Sequence, residues 1–72
     1  MNEVKCIGML YSQTGCAARS SLPILFACEM DEAVKQCLAT YDGAELIIHA
    51  NHFRYIAIPS DNYRIVIGHV DV

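Results

Sequence analysis

Charge is scarce in this chain of 72 residues, at 18% of positions, and it never clusters. The basic residues Lys5, Arg19, Lys35, Arg54 and Arg64 stand apart. That spacing excludes the contiguous cationic stripe that nonspecific contact with nucleic-acid phosphates requires. The carboxylates come singly or in short groups such as Glu29, Asp31 and Glu32, so the chain does not imitate DNA either. A net charge of −3 is mild and names no partner.

Long apolar runs are also missing. None approaches the roughly 18 to 20 residues that span a bilayer, and the segment from Met1 to Met9 lacks the basic start and apolar stretch of a signal peptide. The expectation is a cytoplasmic protein, in a cell or an infected host, with no membrane partner. Cys6, Cys16, Cys28 and Cys37 are separated by nine, eleven and eight residues, without the short paired spacings of a zinc site. Three of the four fall at positions expected to be buried, where a thiol serves as a small apolar side chain. Glycine-rich phosphate loops and nucleophile elbows are absent.

What is present is hydrophobicity. Apolar residues make up 54% of the chain, above the roughly 45 to 50% usual for soluble proteins. At 72 residues the chain is a single domain spanning 1–72, in the size range where a core supplies only about 3 to 5 kcal/mol without further support. Together these features favour association.

Val4 to Tyr11 is rich in strand-compatible residues and ends at the turn-forming Ser12-Gln13-Thr14-Gly15. Cys16 to Leu22 is small, polar and aperiodic, which predicts a loop. Pro23 to Glu29 suits a short buried strand opened by proline, or the first turns of a helix. Five adjacent apolar residues, Ile24 to Cys28, favour the strand. Asp31 to Tyr41 predicts a helix, with Asp31 as its cap, Glu32 at the positive end of the dipole, and a stripe of Met30, Val34, Cys37, Leu38 and Tyr41. Asp42-Gly43 closes it. A three-strand meander follows: Ala44 to Ala50, Phe53 to Pro59 and Tyr63 to Val70. Its turns are Asn51-His52, residue types that tolerate positive φ, and Pro59-Ser60-Asp61-Asn62.

A two-residue first turn sets His49 opposite Arg54, Ile47 opposite Ile56 and Glu45 opposite Ile58. The second turn sets Ile58 against Tyr63, Ile56 against Ile65 and Arg54 against Ile67. One face then carries Ile47, Ile56, Ile58, Tyr63, Ile65 and Ile67, with His49, Arg54 and His69 toward one end. The other carries Leu46, Ile48, Ala50, Phe53, Tyr55, Ala57, Val66 and Val70, with Arg64 as its clear charge. Neither face alternates as a sheet with one side in water does. One helix covers one face; the other, where the N-terminal strand and loop do not fold over it, needs a partner. Burying such a patch contributes on the order of 10 kcal/mol before association entropy is subtracted.

The expected fold is therefore α+β, one helix packed on a four- or five-stranded antiparallel sheet ending in the meander. The expected function is that of a small non-enzymatic protein-interaction module, binding a protein partner or forming a homodimer, and acting by steric blocking or bridging. Small size and mild acidity also match, by type, an inhibitor encoded by a phage or mobile element. Ile47, Arg54, Ile56, Tyr63 and Ile65 are the partner-binding candidates, with Tyr11 as an outside one. The alternative is an anion or metal sensor at His49, Arg54 and His69, where Arg54 would oppose a cation and suit a carboxylate or phosphate. No catalytic residue, metal ligand or cofactor is assigned. Cys16, flanked by Gly15 and near Arg19, is a weaker candidate for a reactive thiol.

Overall fold

The computed structural model describes residues 3–13 and 22–70. The expected loop, and with it Cys16, lies almost wholly outside them. The fold is α+β: a helix packed against a five-stranded antiparallel sheet in the order β2-β1-β5-β4-β3. The strands are β1 (Cys6–Ser12), β2 (Ile24–Phe26), β3 (Glu45–His49), β4 (Phe53–Ile58) and β5 (Tyr63–His69), and the helix is α1 (Met30–Thr40). The ambiguous Pro23 to Glu29 stretch thus holds a strand, limited to three residues. The meander is present, and β1 pairs with β5 along its whole length, from Cys6↔His69 to Ser12↔Tyr63.

Helix α1 begins one residue earlier than expected. Glu29 occupies the cap position without a side-chain capping bond, its carboxylate accepting instead from Lys5, and Asp31 lies inside the first turn. Its carboxylate instead receives a bond from Arg54 Nη2 at 3.2 Å. The helix starts at Met30 because that side chain, 4% exposed, anchors its first turn in the core. The buried stripe is Met30, Ala33, Val34 and Cys37. Leu38, expected within it, is 40% exposed and lies on the flank. The helix closes at Tyr41, in extended conformation, and not at Asp42-Gly43 as expected; Gly43, at φ +77°, a backbone region that disfavours residues with a Cβ, lies in the following turn, where Ala44 N–H donates to the Tyr41 carbonyl.

The second meander turn behaves as read: a short 3-10 turn over Pro59–Asp61 ends at Asn62 in the left-handed region, and Ile58↔Tyr63, Ile56↔Ile65 and Arg54↔Ile67 are in register. The first turn departs from expectation. Neither Asn51 nor His52 has positive φ. The loop is closed instead by Ala50 N–H donating to the Phe53 carbonyl, while Arg54 Nη1 donates to the carbonyls of Ala50 and Phe53. His49↔Arg54 pairs as expected, but a bulge between Leu46 and Ile48 sets Leu46 opposite Ile56 and Glu45 opposite Ala57. The added residue shifts the start of β3 by one position, so Leu46 changes face.

Candidate interaction surface

Residues directly opposite in an antiparallel ladder share a face, so the registers divide the sheet. On one side Ile56, Ile58, Ile65, Ile67 and Cys6 are wholly buried, packed with Phe26 and the apolar stripe of α1. Arg54, at 7% exposure, belongs to this layer. Its guanidinium binds Asp31 of α1 and two carbonyls of the β3–β4 loop. An ion pair with one buried and one exposed partner here fastens a hairpin to a helix end.

The partner-binding candidates from the sequence fall largely on this covered side. Ile56 and Ile65 have no exposed surface and Tyr63 is half-buried against the core. Ile56 and Ile65 pack under α1 and present no surface to a partner, while Tyr63 keeps part of its surface exposed. Ile47 is the exception: it is the bulged residue of edge strand β3 and is 53% exposed. The ligand-site candidates are placed as follows. His49 lies opposite Arg54 at the β3 edge, and His69 lies opposite Cys6 on β5. One strand, β4, separates the β5 that carries His69 from the β3 edge that carries His49, and the Arg54 donors between the two histidines point to Asp31 and the loop. Among the described residues, no group of His, Cys, Asp or Glu is arranged to hold a metal ion.

The cysteines among the described residues also belong to the covered side. Cys6 Sγ donates to the Cys28 carbonyl at 3.2 Å. Burial, reinforced by Cys28, pushes the Cys6 thiol up, and the same causes push Cys37 up to about 11. Both are held as neutral thiols, poor nucleophiles at neutral pH. A groove of about 200 Å³ lies between β2 and α1, lined by Ile24, Phe26, Gln36, Cys37 and Tyr41. It is smaller than the roughly 300 to 1,000 Å³ of small-molecule pockets.

Among the described residues, no helix lies over the opposite side. Three rows of side chains cross it: Leu25–Ile7–Gly68–Phe53, Met9–Val66–Tyr55–Ile48, and Tyr11–Arg64–Ala57–Glu45. The interior members are half-buried, while Leu25 and Ile48 at its margins are 59% and 43% exposed. Arg64 lies across the aromatic groups, its guanidinium carbon 5.5 Å from the Tyr11 ring centre and 6.0 Å from that of Tyr55. Such contacts hold a cation on an apolar surface without expelling it to water. Ile7 and Met9 were missing from the sequence reading of this face, because their place beside β5 depends on a long-range pairing. Tyr55 and Val66 were legible there from their alternation with Ile56 and Ile65.

Among the described residues, no helix is long and apolar enough to cross a membrane. No protein-family profile, curated protein or solved structure matches this chain, so the geometry of its own surfaces carries the functional argument.

Proposed function

We propose that this protein is a non-enzymatic protein-interaction module whose working surface is the sheet face opposite α1. The observation that carries the reading is the row Met9–Val66–Tyr55–Ile48, an unbroken apolar line across four strands with no helix over it among the described residues. Aromatic residues and arginine, here Tyr11, Tyr55 and Arg64, are the types that dominate binding energy at the centres of interfaces. The module acts by contact, blocking or bridging the surface it meets.

The test compares three baits for the material they retain: the native chain, Val66→Asp, and Glu32→Lys on the solvent side of α1. The native chain and Glu32→Lys are expected to hold the same associates, whether other proteins or further copies of the chain, and Val66→Asp to lose them with its circular dichroism unchanged. Retention of every associate by a folded Val66→Asp would remove this face from the function.

A further inference from the structure

The two strand glycines of this sheet differ in a way the isolated chain does not explain. A Cβ added at Gly8, on the covered side, would come within 3.1 Å of the Phe26 ring, so core packing disfavours any larger residue there. At Gly68, on the open side, the nearest atom among the described residues is the His52 carbonyl oxygen at 3.8 Å, an ordinary contact, and φ is not positive. Glycine in a strand weakens it and often marks a close approach by another chain. The Gly68 hollow sits beside the half-buried Phe53 on the neighbouring strand.

We infer that a second copy of this chain covers the open face, related by a two-fold axis lying parallel to the strands between β4 and β5. The inference rests on the interaction role proposed above and names its partner. Such an axis keeps each row in line and places β5 over β4 of the other copy, and β1 over its β3. The central row then meets in apolar pairs, Val66 on Tyr55 and Met9 on Ile48. The Phe53 ring of each copy enters the Gly68 hollow of the other, and Arg64 lies over the other copy's Ala57. Glu45 arrives over Tyr11, beside the Arg64 guanidinium already stacked on that ring. The cation and the carboxylate of the face therefore neutralise one another across the interface.

The area is consistent with this. Four overlapping strands about 4.8 Å apart, crossed by rows about 6.7 Å apart, give a footprint of roughly 400 Å². Side-chain relief brings the surface buried by the pair to about 1,000 Å², where specific interfaces begin. The twist of each sheet sets the two at about 30°, the aligned packing of a β-sandwich.

Sedimentation equilibrium over a dilution series from low to several hundred micromolar tests the inference. The native chain is expected to pass from one to two chain masses. Gly68→Val, a change that suits a strand, should weaken association about a hundredfold by filling the hollow, without lowering the melting temperature at dilution. Glu45→Arg should weaken it about tenfold by bringing a second cation to Arg64, and adding Arg64→Glu should restore it. Glu45 is exposed, so this arm reports even where Gly68→Val does not fold. A native chain that stays at one chain mass overturns the inference and leaves the interaction role to the Val66→Asp comparison. A dimer indifferent to Gly68→Val and Glu45→Arg but broken by Ile47→Asp also overturns it, in favour of edge pairing through β3.

Discussion

The two faces of the sheet are built from alternate residues of the same strands, are similarly apolar, and have opposite fates. Ile56, Ile58, Ile65 and Ile67 are sealed under α1, while their neighbours Tyr55, Ala57 and Val66 remain half-exposed on the other side. The difference shows that similar hydrophobicity on two faces of a sheet does not give them similar burial within the chain. A monomer of this size has one helix's worth of cover among its described residues and two faces that need it.

The contrast is tested most severely by adjacent substitutions on β5. Ile65→Ala is expected to lower the unfolding free energy by about 2 to 5 kcal/mol, which would leave so small a domain largely unfolded. Val66→Ala, one residue along and on the other face, should lower it by about 1 kcal/mol or less at concentrations where the chain is monomeric. Urea denaturation followed by circular dichroism measures both, and equal losses would erase the distinction between the faces.

A smaller effect sharpens the same contrast through pH. Cys37 ionises at about 9 when unfolded and at about 11 in the folded chain. Because the folded value is raised, its contribution is fully present below about pH 9 and is lost as pH rises toward 11. Urea midpoints at about pH 8 and about pH 10.5 should therefore differ by an amount worth about 2 kcal/mol. In Cys37→Ala the difference should shrink by that amount. An unaltered pH slope would mean that the covered side admits water at the helix.

The smallest effects come from the two glycines. Gly8→Ala should destabilise the monomer by about 1 kcal/mol, since the Phe26 ring must yield. Gly68→Ala should leave it unchanged or more stable by about 0.5 kcal/mol, since glycine is a poor strand residue and the space is open. Thermal melting of dilute samples separates the pair. A loss at Gly68 as large as that at Gly8 would give this glycine a role within the single chain.

The meander was legible because its evidence is local. Alternation and two turns place Arg54 against Ile67 and Ile58 against Tyr63 without knowledge of the rest of the fold. The register failed at β3, where Leu46, Ile47 and Ile48 are three aliphatic residues in succession and any of them can be the bulge. Two of the partner-binding candidates are buried for a different reason. Ile56 and Ile65 were chosen from the more uniformly aliphatic face, and that uniformity is what a helix selects when it packs. The face left open carries the aromatic and charged residues Tyr11, Tyr55 and Arg64.

By itself, the sequence determined what depends on neighbours along the chain: the strands from their alternation, the helix from its 3.6-residue stripe, the turns from glycine, proline and asparagine, and the α+β class from their order. Only the tertiary structure decided that β1 enters the sheet between β2 and β5, and that α1 lies over Ile65 rather than Val66. Those choices rest on contacts between residues far apart in the chain, such as Cys6 with His69. Their energies depend on shape and burial in three dimensions, which no local pattern encodes.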